Sequence, residues 1–525
     1  MIWPSLFNIG RHLLPPPSPS TPASPRRSTA PGLILGMGHS IFDDIADAAV
    51  VIPWSTLNRH AYILGSTGSG KTVLQRHVGY QFVKAGYGVL LIDLKGEPEL
   101  MWDLWRACVA SGREKDFVYL SPILSDKFCT HTATWNPLLS GDASLVTARL
   151  ADAFYNPSPE AEFWEKVKAD IIMSLMSACK DTGRVTTFRD LSYALSSPNT
   201  LKQLAAITPP NGRGRAMIEN IISEWQSNPR VYTAYVKGTK VAFQSLSSGL
   251  PESICNATQP TLDLAHAVES RKVIYCFLPS MYAKDAMRWI GRLLLAELKH
   301  IFADIQAFQA KPAKFAIVID EFQELAFPSV LDLFNKARSA GVSLVVSHQT
   351  LADLEFQMRT AAFGAALLDN TASKIIMQVK SKDTAESLAK IIGEYPPMPF
   401  VSRIMPARYL VQPDILMGKN ELYEEGLGVG ELIAKIDGEI YRVKVPAGRK
   451  REQIRPGIDI PRPPTHYDPI PVPEPLHLHT LPVGREEFLN PAQGKRGRGR
   501  RQPNADIPWS GGDAQEPPGP PPELS

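Results

Sequence analysis

Gly65-Ser66-Thr67-Gly68-Ser69-Gly70-Lys71-Thr72 fits the phosphate-binding pattern GxxxxGK[ST], and its flanks are those the pattern requires. The run before it, His60-Ala61-Tyr62-Ile63-Leu64, is short and apolar like a buried strand, and Val73-Leu74-Gln75-Arg76-His77-Val78 opens a helical pattern. In a strand-loop-helix unit, glycines let successive N–H groups and the helix N-terminus close around a triphosphate without a Cβ clash. Gly65, Ser66, Thr67, Gly68, Ser69 and Gly70 would wrap the phosphates, Lys71 would neutralise the β/γ charge, and Thr72 would offer its hydroxyl to Mg²⁺. ATP and Mg²⁺ are the expected ligands. The plainer alternative is a glycine-rich strand-to-helix turn with an incidental lysine.

Residues 89–93, 117–120, 273–278, 315–320 and 342–346 are near-continuous apolar runs, and helical patterns separate most of them. Strands of a parallel sheet covered on both faces have this composition, so an α/β fold is expected. One run, Phe315-Ala316-Ile317-Val318-Ile319, ends in Asp320-Glu321. Asp320 would hold the water shell of Mg²⁺ and Glu321 would polarise an attacking water; a solvated acidic strand end is the alternative. The run 342–346 leads into Ser347-His348-Gln349, which places Gln349 as a candidate γ-phosphate sensor at the carboxyl edge of the sheet, with His348 a neighbour rather than a catalyst. Arg338 lies on the helix before that strand. Such an arginine is usually solvated, but in a ring it can reach the next subunit's γ-phosphate.

The chain has 525 residues, enough for two or three domains, and a formal net charge of +3, which excludes a uniformly basic nucleic-acid coat protein. Its five cysteines lack paired spacing, which argues against disulfides and zinc and for a reducing, cytoplasmic setting. No stretch approaches the roughly 20 uninterrupted apolar residues of a membrane-spanning helix. Composition sets the expected borders: a disordered N-terminal segment and Pro-rich linker (1–31), the first part of a P-loop domain (32–140), an all-helical insertion (141–262), the second part of the P-loop domain (263–445), and a disordered Pro-rich tail (446–525). That tail contains Lys495-Arg496-Gly497-Arg498-Gly499-Arg500-Arg501, a cluster suited to phosphate-backbone binding or to plain solubility.

Together the motifs resemble the coupling-protein ATPases of type IV secretion and conjugation, the VirD4/TraG/TraD group within the FtsK/HerA class. The resemblance rests on the P-loop, Asp93-Leu94-Lys95-Gly96-Glu97, Trp135-Asn136-Pro137-Leu138, Phe163-Trp164, Asp320-Glu321, Arg338, Gln349, Leu368-Asp369-Asn370, Thr384-Ala385-Glu386 and Gly393-Glu394. It implies a RecA-like domain in a homo-oligomeric, hexameric ring. Lys71, Thr72, Asp320, Glu321 and Gln349 would face one side of each ATP site and the neighbour's Arg338 the other. It further implies delivery of DNA, single-stranded with its relaxosome proteins, to a type IV secretion channel, with the helical insertion engaging the DNA-processing complex. Family members usually carry transmembrane helices before the ATPase domain. Here the 1–14 segment is short and broken, so an indirect, peripheral contact with the inner membrane is expected. A soluble HerA-like DNA translocase and a nucleotide-gated docking adaptor are the alternatives.

Overall fold

The computed structural model describes residues 31–42, 47–124, 129–158, 161–395, 409–419, 424–447, 463–464 and 466–481. The 1–14 segment, the linker up to Ala30 and the basic cluster 495–501 lie outside the described residues, as do the side chains of Phe163 and Trp164.

Eleven strands make one sheet: β1 (Gly32–Ser40), β2 (Ala48–Pro53), β3 (Ala61–Leu64), β4 (Gly88–Asp93), β5 (Phe117–Leu120), β6 (Val273–Phe277), β7 (Phe315–Ile319), β8 (Val342–His348), β9 (Ser373–Met377), β10 (Glu431–Ile436) and β11 (Glu439–Lys444). Their spatial order is β2-β1-β11-β10-β9-β3-β8-β7-β4-β6-β5. Every pair from β9 to β5 is parallel, and the pairs among β2, β1, β11, β10 and β9 are antiparallel. The expected α/β class is therefore found, and β3, β4, β7 and β8 are buried along their whole length, which is why they read as unbroken apolar runs. The antiparallel part adds strands that the apolar runs did not reveal. β10 and β11 are joined by Asp437-Gly438 with φ of 50° and 93°, the backbone a two-residue hairpin needs to match strand twist.

Between β5 and β6 the regular elements of the described chain are helical: Ala143–Ala153, Ala161–Asp181, Phe188–Ala194, Pro198–Ile207, Arg213–Ser227, Pro229–Ser247, Glu252–Cys255 and Leu264–Glu269. Asp142, Thr187 and Ser197 cap the first, third and fourth of these through their own side chains, so loop polarity sets where the helices start. The helical segment shares one apolar core with one face of the sheet. Leu150, Leu175, Phe188 and Phe243 belong to the same cluster as Leu294 and Phe302 of the Lys284–Ala307 helix and Ile317 of β7. Among the described residues no helix is long and apolar enough to cross a membrane, and all five cysteines are free and buried.

Beyond residue 446 the structure departs from the reading of a wholly disordered tail. Tyr119 N donates to Tyr467 Oη at 2.9 Å, and Ile470 N donates to Pro260 O at 2.8 Å. Val185 N donates to Glu474 O at 2.9 Å, Leu476 N returns a bond to Val185 O at 2.8 Å, and Leu478 N donates to Asp190 Oδ1 at 2.8 Å. Leu476 and Leu478 are buried in the common core. The composition reports that the segment cannot fold alone; the helical segment supplies the surface and the hydrogen-bond partners that it lacks.

Candidate functional site

The glycine loop leaves β3 at its carboxyl end and is pinned at its first residues. Gly65 N donates to His348 O at 3.4 Å, and Ser66 N and Oγ donate to Gln378 O at 2.8 and 3.0 Å. Gly68 and Gly70 hold φ of 86° and 105°, values that L side chains rarely adopt. A Cβ on Gly68 would meet nothing within 4 Å, whereas one on Gly70 would come within 3.2 Å of the Gly430 backbone. The Lys71–Lys84 helix begins at once, without a side-chain cap. The N–H groups of Gly68, Gly70, Lys71 and Thr72 have no acceptor among the described residues. Such donors at a helix N-terminus make an anion cradle. Lys71 Nζ donates to Gly65 O at 2.7 Å across the loop, and burial lowers its pKa. Thr72 is half-buried beside it.

Asp320 and Glu321 leave the end of β7 in different directions. Asp320 is buried, and its Oδ1 accepts from Gln75 Nε2 at 3.1 Å, Ser347 Oγ at 2.9 Å and Glu321 N at 3.0 Å. Three donors on one oxygen fix the carboxylate. No hydrogen bond among the described residues takes up Oδ2. Burial and the neighbouring Glu321 carboxylate raise the Asp320 pKa, the opposite of what a bound cation would do. Glu321 has φ 54° and ψ 50°, left-handed for a non-glycine residue. That turn sends its side chain to Gln349, whose Nε2 donates to Glu321 Oε1 at 3.1 Å, and to Gln323, whose Nε2 donates to Oε2 at 2.7 Å. Thr67 Oγ1 in turn donates to Gln349 Oε1 at 3.0 Å. One continuous hydrogen-bonded path thus runs from the phosphate loop to the acidic pair.

His348 is buried; its Nδ1 donates to Thr350 O at 2.8 Å and its Nε2 accepts from Tyr62 Oη. Burial lowers its pKa to about 3, so the ring is neutral and holds the turn carrying Gln349. Asp93 at the end of β4 accepts from Lys95 N at 2.9 Å, Gly96 N and Glu97 N at 2.8 Å, and Tyr275 Oη at 2.7 Å. It shapes the loop beside the acidic pair, and Asp320 N bonds Ile92 O at 3.1 Å. Arg338, by contrast, is exposed in the last turn of the Val330–Ser339 helix, and its side chain makes no hydrogen bond or ion pair among the described residues. A single chain does not bring it to the loop.

Gln75, Ser347, Tyr62 and Tyr275 escaped the sequence reading. Gln75 alone carried a signal: it lies four residues after Lys71 and so on the same helix face, toward β7 and β8. The donor set fits a nucleoside triphosphate with Mg²⁺, with unpaired N–H groups and Lys71 for the phosphates, and Asp320 and Thr72 as oxygen donors for a hard cation.

Residues 314–398 match the family model of the TraM recognition site of TraD and TraG, and residues 39–102 match the helicase HerA-like C-terminal model. The type 4 coupling protein DotL of Legionella pneumophila is 21% identical over 396 residues, which cover 64% of this chain and 49% of DotL. The chain thus spans about half the length of that relative. The plasmid coupling protein TrwB in complex with ADP and Mg²⁺ has a similar fold, with a TM-score of 0.56 and 17% identity over 76% of this chain and 89% of that one. Unbound TrwB gives a TM-score of 0.55 at 17% identity, covering 76% and 88%. Both family models and DotL make this chain similar to the type IV coupling proteins of the P-loop ATPase class, and its fold is similar to that of TrwB.

Proposed function

We propose that this chain hydrolyses ATP with Mg²⁺ and uses the energy to move DNA toward a type IV secretion channel. The observation that carries the reading is the path Thr67–Gln349–Glu321, which joins the phosphate loop to a carboxylate set to orient water. Mg²⁺, when bound, neutralises phosphate charge and orients the terminal phosphoryl group. Lys71, Gly68 and Gly70 would bind and orient the phosphates, and Thr72 and Asp320 would hold Mg²⁺, Asp320 through the ion's water shell. Glu321 takes a proton from the attacking water, and Gln349 fixes the orientation of Glu321 and reports whether the last phosphate is present. Arg338, exposed and unpaired on its helix, completes the site of the next subunit in a homo-oligomeric, hexameric ring.

The substrate is DNA, single-stranded and bound by relaxosome proteins, engaged through the helical segment at 141–262, with 32–140 and 263–445 forming the motor. Contact with the inner membrane is indirect and peripheral, through channel components. The cluster Lys495–Arg501 adds loose phosphate contacts. Full-length protein should hydrolyse ATP slowly alone and several-fold faster with single-stranded DNA. Nucleotide binding without turnover on any DNA would instead favour a docking adaptor. The match of residues 39–102 to a HerA-like model favours a second reading, a translocase in DNA processing. Co-purification with relaxase and channel proteins from donor cells would distinguish that reading from channel delivery.

A further inference from the structure

The segment after Glu321 is held from below by a buried arginine that the nucleotide chemistry does not use. Arg292, in the Lys284–Ala307 helix, is 2% exposed. Its Nη2 donates to Ala326 O at 2.6 Å, one residue past the short Phe322–Leu325 helix whose N-cap is Glu321. Its Nη1 donates to Tyr155 O at 3.0 Å, just beyond Ala143–Ala153, the first helix of the helical segment. No carboxylate pairs with Arg292 among the described residues, and its Nε is buried without a partner. A guanidinium is costly to bury this way, and leucine or methionine would serve a plain packing contact better. What the arginine adds is direction, because two rigid N–H groups tie two specific carbonyls together.

The same helix repeats the connection on either side. Arg288 Nη2 donates to Glu324 Oε2 at 2.7 Å, within the short helix itself. Lys299 Nζ donates to Asp152 Oδ2 at 2.6 Å and to Ser329 Oγ at 2.7 Å, and Ser329 Oγ donates to Asp152 Oδ1 at 2.8 Å. Residues 288, 292 and 299 fall on one helix face by their spacing. On that face Gly291 leaves room for Leu325, since a Cβ there would lie 2.6 Å from Leu325 Cδ2. The last turn of the first inserted helix and the chain from Glu321 to Ser329 are therefore fastened together through one rigid rod.

We propose that Arg292 is a positioning residue that carries movement of the helical segment to Glu321, so that the segment governs turnover rather than nucleotide binding. This rests on the reading of Glu321 as the base that activates water. A displacement of about 1 Å at such a group can cost on the order of 100-fold in rate while leaving phosphate contacts intact.

The test uses full-length wild type, Arg292→Met and Arg292→Lys, the last keeping charge and bulk but not the two-pronged grip. Three quantities are measured: steady-state ATP hydrolysis, ATPγS affinity, and amide exchange of residues 143–158 with and without ATPγS·Mg²⁺. In Arg292→Met, kcat should fall by about 10- to 100-fold while KM and ATPγS affinity stay within about twofold. Arg292→Lys should be intermediate. ATPγS should alter exchange at 143–158 in wild type and not in Arg292→Met. Wild-type kcat in both variants, an equal loss of affinity and rate in both, or ATPγS-dependent exchange that persists without Arg292 would overturn the proposal. Glu321→Gln in the same assays separates the two ideas. If it hydrolyses ATP normally, the base assignment fails, and the exchange data still decide whether Arg292 transmits.

Discussion

Gln349 Nε2 donates to Glu321 Oε1 at 3.1 Å while Gln349 Oε1 accepts from Thr67 Oγ1 at 3.0 Å, so one amide is committed at both ends. Only glutamine meets both partners at this reach. Gln349→Met keeps the length and removes both bonds. We expect kcat to fall about 10- to 100-fold with ATP affinity within about threefold of wild type. Steady-state hydrolysis and fluorescent-nucleotide titration check this, and an affinity loss as large as the rate loss would place Gln349 in binding alone.

Lys71→Ala and Glu321→Gln should both abolish turnover and differ in binding. Lys71 Nζ spans the loop to Gly65 O, so its loss removes charge and a loop brace together. Glu321→Gln keeps its shape and its place in the turn. Equilibrium binding should find ATP trapped by Glu321→Gln and held poorly by Lys71→Ala, and wild-type hydrolysis in either variant would refute the site.

Arg338 is exposed, and its own chain gives its guanidinium no partner among the described residues. If it acts on a neighbouring subunit, Arg338→Ala should be inactive alone. Mixing it with Lys71→Ala should restore a fraction of activity where an intact loop meets an intact arginine. Hydrolysis measured across mixing ratios tests this, and no recovery under proven subunit exchange counts against it.

Two buried histidines tie stability to pH. His60 donates from Nε2 to Phe334 O at 2.7 Å and accepts at Nδ1 from Leu344 N at 3.1 Å, and burial lowers its pKa from 6.5 to about 4. His348 is lowered from 6.5 to about 3 by the same cause. The unfolded chain takes up these protons first, so the stabilisation is complete above pH 6.5 and is lost progressively as pH falls toward 4. Between about pH 7.5 and about pH 5 each histidine should account for roughly 2 kcal/mol of lost stability. Urea midpoints at the two pH values, compared with those of His60→Asn, give the measurement; an unchanged pH slope in the variant would remove His60 from the account.

Gly214 lets the Arg213–Ser227 helix lie against the backbone of Ala161–Asp181: a Cβ would fall 2.3 Å from Ala178 N. Alanine ordinarily stabilises a helix interior, so the sign is diagnostic. Gly214→Ala should lower stability by about 1–3 kcal/mol, read from denaturant midpoints.

Local chemistry was legible in the sequence, and long-range register was not. The loop 65–72 and the pair Asp320-Glu321 each sit in one continuous stretch whose composition states its geometry. Gln75, Ser347 and Tyr275 act only because parallel pairing sets β4 against β6 and β7, and β7 against β8. The hairpin β10–β11 carried one local signal, Asp437-Gly438, which the reading of apolar runs passed over. The segment 466–481 was not, because proline content measures whether a segment can fold unaided and says nothing of a waiting surface.

That returning segment changes how the molecule must come apart. The chain runs from β11 in the antiparallel half of the sheet to Tyr119 on β5, at the far edge, and then along Val185 and Asp190. Leu476 and Leu478 lie in the same apolar cluster as the sheet and the inserted helices. The helices cannot melt as a separate foldon without stripping the returning segment, nor can that segment peel away without opening the core. Heating or denaturant should therefore take the sheet and the helical segment through one cooperative transition.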